Sequence, residues 1–417
     1  MRSWPIRNSL NTYMQQGTEQ KRQGNDDFFG IENSLKSWKG QIAGLKDTAT
    51  MNKKRGDGGA RRGRVNANAD LKAKFGDAWD KVAGARKSLP PYNMERVFFE
   101  SGLGFYTSYF NYARTLVRWA DESGKPNGQR LPEYAEARKA AIERQLGSEA
   151  PVFPGVEQAK LEASLEVMVR MVGADNPLVK QVLAGKTPKA RAAELVAGTK
   201  LGDPATRKSL FAGGNAALSA SKDPFIEVAH AIDARARELR TKYDNEVLGV
   251  ERDAYARIAQ AVFATQGDAA YPDGTFTLRL SYGQVKGYQE NGKTVSPFTE
   301  IRGLYVRGDE HKQQPPYKIV DSWMQARAQV RPTTPFNFVS TNDIVGGNSG
   351  SPVIDAKGQL VGLIFDGNIQ SLPGYFVYDQ SVNRAVSVDA RGIIEALKTV
   401  YKAGWVADEL TAPASRR

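Results

Sequence analysis

Thr341-Asn342-Asp343-Ile344-Val345-Gly346-Gly347-Asn348-Ser349-Gly350-Ser351-Pro352-Val353-Ile354 is the stretch on which the reading of this chain turns. It lies between two strand-like runs, Phe336 to Ser340 before it and Ser351 to Ile354 within its end. A third run, Leu360 to Phe365, follows the turn Asp355-Ala356-Lys357-Gly358. On its own, Gly-Gly-Asn-Ser-Gly-Ser reads as a β-turn made of residues that favour turns. With a hairpin directly behind it, the same corner reads as a loop that presents a side chain.

The side chain worth presenting is Ser349. Acyl transfer needs a hydroxyl standing out on a tight turn, with backbone N–H groups aimed at the oxygen that becomes negative in the transition state. Gly347 permits the turn and places its own N–H beside that of Ser349. Gly350 lets neighbouring backbone approach, and Pro352 fixes the exit into the next strand. Each such donor is worth about 10²–10³ in rate.

Working outward, residues 1–268 read as helices separated by short breakers, and residues 269–417 as strand-like text with a terminal helix. The clearest helix starts at Asp223-Pro224 and places Phe225, Val228, Ile232, Leu239, Tyr243 and Val247 on one stripe. It runs on, or breaks near Gly249, before ending at Gly267. Further helices are expected over 26–45, 69–87, 94–120, 132–146, 155–172 and 189–198. Beyond the boundary, Phe276, Leu278, Leu280 and Tyr282 alternate with Thr275, Thr277, Arg279 and Ser281, which predicts a half-buried strand. Glu290-Asn291-Gly292-Lys293 predicts a hairpin, and about Arg391 to Tyr401 a closing helix.

At 417 residues and 41% hydrophobic content the chain can bury a core of two or three domains, at ~150 residues each. No apolar run reaches the ~20 residues of a membrane span. The first residues lack the apolar region of a secretory signal, so either the protein stays inside or its true beginning is missing. With no Cys and only His230 and His311, thiolate chemistry and local metal motifs are excluded. The charge of +12 invites an anionic partner, but the most basic run, Asn52 to Arg64, has no aromatic to stack on a base and reads as a solvated, Gly-rich loop.

Thr341 through Pro352, Phe365-Asp366-Gly367-Asn368, Asn383-Arg384-Ala385-Val386 and Asp408-Glu409-Leu410 together resemble the C-terminal half of bacterial dipeptidyl peptidases of the chymotrypsin clan. These are the seven/eleven type with an inserted helical cap. A looser match, Ile31 to Gly40, lies in the helical part. The resemblance implies an α+β multidomain chain: a helical cap over 1–268, then a chymotrypsin-like antiparallel β-barrel with a terminal helix over 269–417. The partner N-terminal β-barrel is expected to be absent.

The same resemblance implies a serine-type exopeptidase that releases dipeptides from free peptide N-termini, in the periplasm or at the cell surface. Homodimers are the family's tendency, and no metal, cofactor or nucleic acid is implied. Ser349 is then the nucleophile and Gly347 the second oxyanion donor. Asp366 and Asn33 are the groups that hold the substrate ammonium, where a charged acceptor makes physical sense; a strand-end turn Asp and a helix-surface Asn are the plainer readings. Where relatives preferring acidic residues carry Arg, this chain has Gly367, which predicts space, no charge and a preference for uncharged or hydrophobic side chains at the second substrate residue. The family's catalytic His and Asp come from the first barrel. His230 on its helix and His311 in a charged loop show no motif for that role, so an incomplete, non-catalytic half is the competing reading.

Overall fold

The computed structural model describes residues 3–267 and 278–412. Contacts divide the chain into two compact units, Met1–Lys36 with Arg62–Gly267, and Ser37–Arg61 with Asp268–Arg417. The helical stretch Ser37–Arg61 thus groups with the strand-bearing unit, an arrangement with no local sequence signal.

The first unit is helical. Its core gathers Phe99, Phe105, Phe110, Leu116, Leu161, Leu165, Phe225 and Ile232. The helix Pro224–Tyr243 begins as its sequence requires: the Asp223 side chain accepts from the Phe225 N–H and Pro224 occupies the first turn. Phe225, Val228, Ile232 and Leu239 are buried along its stripe. The helix does not break at Gly249. It passes through a single π-turn, Asp244–Leu248, which re-phases the apolar stripe before the helix Gly249–Gln266 closes on Gly267 at φ +55°. Helices Ser3–Met14, Pro177–Leu183 and Pro204–Ala220 are additional to those expected from periodicity.

The basic run is not a loop. Asn52 to Arg64 lies inside the helix Thr48–Asn66. Its glycines each cost about 1 kcal/mol relative to Ala. Strong helix formers among them, the Lys53–Asp57 pair one turn apart and a hydrogen bond from Lys54 to the Phe376 carbonyl at 2.9 Å work in the other direction.

In the second unit, β3 (Phe298–Glu300), β4 (Pro335–Ser340), β7 (Ala385–Asp389), β6 (Leu360–Gly367) and β5 (Pro352–Ile354) form a five-stranded sheet in that order, each pair antiparallel. A separate two-stranded sheet joins β1 (Tyr288–Glu290) to β2 (Lys293–Val295) through Asn291 and Gly292, both at positive φ, as an Asn-Gly hairpin demands. The expected barrel is therefore, among the described residues, an open sheet with β3 and β5 at its edges. Phe338 on β4 reaches so far across that a Cβ on Gly362 of β6 would stand 2.7 Å from its ring. A second cluster, with Ile301, Tyr305, Ile319, Trp323 and Val400, packs the helices Ile301–Glu310 and Asp321–Ala326 against Phe336.

The expected half-buried strand over 275–282 needs correction. Residues 275–277 lie outside the described set, and residues 278–282 form no strand ladder. Leu278, Leu280 and Tyr282 are 104%, 80% and 87% exposed. The alternation is real, but it is the polar face that points inward: Arg279 pairs with Asp343 at 2.9 Å and Ser281 donates to the Asp343 carbonyl at 2.7 Å.

Candidate active site

The corner that carries Ser349 is built by hydrogen bonds that its own sequence supplies. On the side of β4, Thr341 and Gln284 exchange two bonds, Thr341 N–H to the Gln284 carbonyl and Gln284 N–H to Thr341 Oγ1, each 2.9 Å. The Asn342 amide donates to the Ser281 carbonyl at 2.8 Å, and the Tyr378 hydroxyl donates to the Thr341 carbonyl. On the side of β5, Gly350 N–H reaches the Ile364 carbonyl at 2.7 Å, and Ile364 N–H returns to the Ser351 carbonyl at 3.1 Å.

Between those anchors the backbone turns through Gly347 at φ +103° and Gly350 at φ +87°, conformations that an L side chain rarely adopts. Ser349 is exposed at the tip, and its Oγ has one hydrogen-bond partner among the described residues, the Phe365 carbonyl at 3.4 Å. Asn348 N–H turns inward to the Val345 carbonyl at 3.2 Å. The N–H groups of Gly347 and Ser349, on either side of it, donate to no protein acceptor among the described residues. Two free amides beside an exposed hydroxyl are what an oxyanion site requires.

Asp366 stands one residue beyond Phe365 on β6, where the pairing with β7 slips between Ile364 and Asp366. That bulge re-aims the strand next to the serine. Asp366 is exposed, and one carboxylate oxygen caps the Gly367 N–H at 2.8 Å. Ser349, Gly347 and Asp366 are therefore brought together by one loop and the strand beneath it. Gly367 offers less room than its missing side chain suggests, because a Cβ there would stand 2.3 Å from Ser371 Oγ. Asn33 is exposed on the helix Thr18–Lys46, in the part of it that belongs to the first unit.

The two histidines stand on other elements. His230 is exposed on the helix Pro224–Tyr243 of the first unit. His311 caps the helix Ile301–Glu310 and stacks on Tyr317 at 3.6 Å.

Matched against known families, residues 5–412 fit Peptidase S46. The chain belongs to that family. Among its curated relatives is the Asp/Glu-specific dipeptidyl-peptidase of Shewanella putrefaciens, 28% identical over 338 residues, covering 72% of this chain and 45% of the relative. Another is the dipeptidyl-peptidase 7 of Phocaeicola vulgatus, 35% identical over 148 residues, covering 34% of this chain and 20% of that one. A solved structure of Porphyromonas endodontalis DPP11 in complex with the dipeptide Arg-Glu superposes with a TM-score of 0.73 at 19% identity, over 98% of this chain and 60% of that one. The S46 chain described here thus spans about half the length of the first curated relative, and the fold follows that of DPP11 over nearly all of its own length.

Two supports of the site escaped the sequence reading. Asn368 binds both sides of its neighbour: its Oδ1 accepts from Arg384 N–H at 2.9 Å and its amide donates to the Val382 carbonyl at 2.8 Å. Arg384 itself is 2% exposed, its guanidinium donating to the carbonyls of Lys286, Gly287, Gln380, Ser381 and Asn383. Both residues stood in quoted motifs. Nothing in the sequence marks an arginine as caged by carbonyls, since arginines are normally exposed.

Proposed function

We propose that this chain is the nucleophile-bearing part of a serine dipeptidyl peptidase acting on peptides with free N-termini. Ser349 attacks the second peptide bond, the N–H groups of Gly347 and Ser349 hold the oxyanion, and Asp366 accepts the substrate ammonium. Asn33 is the candidate of the helical unit for that same ammonium, on family resemblance alone. The observation that carries the reading is the pair of unpaired amides flanking Asn348 under an exposed Ser349. A serine hydroxyl needs a base to take its proton. By the same family resemblance, the base belongs to the part of the relatives' length that this chain does not span. The family's periplasmic or surface location and its homodimeric tendency are part of the same proposal.

At the second substrate residue the proposed preference is for uncharged side chains. An acidic side chain needs a cation, and Arg384, whose carbonyl would stand 3.6 Å from a Cβ on Gly367, has its guanidinium already bound to five carbonyls. Exposed Phe365 and Tyr375 offer apolar surface on the same strand and on the segment that follows it. One set of assays tests both levels: release of Leu-, Phe-, Asp- and Glu-ended dipeptides by the purified chain and by Ser349→Ala. A clear loss of release in Ser349→Ala supports the assignment of the nucleophile, and faster cleavage after Asp or Glu overturns the proposed preference. Equal, negligible rates in both proteins favour the second reading, a half-enzyme inactive without its base, which the family resemblance assigns to the first barrel.

A further inference from the structure

Two amides without a protein acceptor serve an oxyanion only where the loop that carries them is held in one shape. Within the loop from Val345 to Ser351, three of the hydrogen bonds are made by one residue. Asn348 N–H donates to the Val345 carbonyl at 3.2 Å, its own carbonyl accepts from Ser351 N–H at 3.0 Å, and its side-chain Oδ1 accepts from Val345 N–H at 2.9 Å. Any residue supplies the two backbone bonds. The third needs a short side chain with an acceptor two bonds from Cβ, which Asn and Asp have and Ala lacks.

We propose that Asn348 is a positioning residue for the oxyanion site: by bonding Val345 through both backbone and side chain it closes a four-residue ring that holds the Gly347 and Ser349 amides outward. The inference rests on the reading of Ser349 as nucleophile and adds a residue to that site. It assigns Asn348 no contact with substrate. Its action is on where its two neighbours point, and so on transition-state stabilisation rather than on ground-state binding.

The test uses the full chain with Asn348→Ala, Asn348→Asp and Ser349→Ala, and two readouts. The first is the rate at which a fluorophosphonate probe phosphonylates Ser349, with fluoride as leaving group, analysed for saturating rate and half-saturating concentration. The expected result is a saturating rate about 10–100-fold lower in Asn348→Ala at an unchanged half-saturating concentration, part of the 10²–10³-fold that a donor is worth. Asn348→Asp, which keeps the acceptor, recovers to within about threefold. Equal rates in Asn348→Ala and the parent overturn the proposal, as does a failure of Asp to recover what Ala loses. The second readout is amide hydrogen exchange across residues 344–351, faster in Asn348→Ala and parent-like in Asn348→Asp. If the parent labels no faster than Ser349→Ala, the chain lacks the base that activates Ser349, and the exchange result alone decides the loop lock: unchanged exchange in Asn348→Ala overturns it.

Discussion

Glu122 gives the sharpest test of how the helical unit holds its shape. It has no exposed surface, and its carboxylate meets Lys125 at 2.7 Å, the Arg237 guanidinium at 2.5 Å and the Leu131 N–H at 2.7 Å. Burial pushes the carboxyl up, but Lys125, Arg237 and the Leu131 amide outweigh it and hold the group at about 2, below its ordinary 4.5. A depressed carboxylate stabilises the fold above its ordinary value and loses that contribution as pH falls toward the folded one. The difference corresponds to about 3 kcal/mol at neutral pH. Glu122→Gln keeps the size and an acceptor while removing the charge, so it is expected to lower stability by roughly this amount at pH 7. Urea unfolding followed by helical circular dichroism, run on parent and variant from pH 7 down to pH 3, reads the gap directly. The gap is expected to shrink by about half at pH 3. Glu133, bound to Arg240, titrates in both proteins and drops out of the difference to first order, whereas Asp233 shares Arg237 with Glu122 and is coupled to it. A gap below about 1 kcal/mol at pH 7, or one that stays constant down to pH 3, would refute the reasoning.

Four further substitutions probe the second unit. A Cβ on Gly40 would lie 2.3 Å from Leu372 Cδ1 and one on Gly44 2.7 Å from Pro373, whereas one on Gly58 meets nothing within 4 Å. Overpacking of about 1–3 kcal/mol then opposes the helix gain of about 1 kcal/mol in Gly40→Ala and Gly44→Ala, while Gly58→Ala keeps the gain alone. Thermal melts are expected to fall for the first two and rise for the third; a common direction for all three contradicts the packing. Asn368→Ala leaves the Arg384 N–H and the Val382 carbonyl unpaired beside the site, a loss of about 2 kcal/mol or more. Urea unfolding equal to the parent's would show that the clamp contributes nothing.

What the sequence made legible follows how local each cause is. The corner at Gly347 to Pro352 and the Asn291-Gly292 hairpin were readable because positive φ is a property of one or two residues and Gly or Asn announces it. Alternation from Leu278 to Tyr282 was readable as two faces, but which face is buried depends on a partner surface, and here Asp343 selects the polar one. The helix Thr48–Asn66 was hidden by its glycines, which set a propensity cost that contacts of Lys54 and neighbouring charges override from outside the segment. Arg384 is the extreme case: its cage is assembled from residues 286–287 and 380–383, nearly a hundred positions apart. The nucleophile loop joins both kinds. Glycine writes its turn into the sequence, whereas the direction of its free amides is settled by Asn348 closing on Val345, a bond whose partners are visible in the motif but whose consequence exists only in three dimensions.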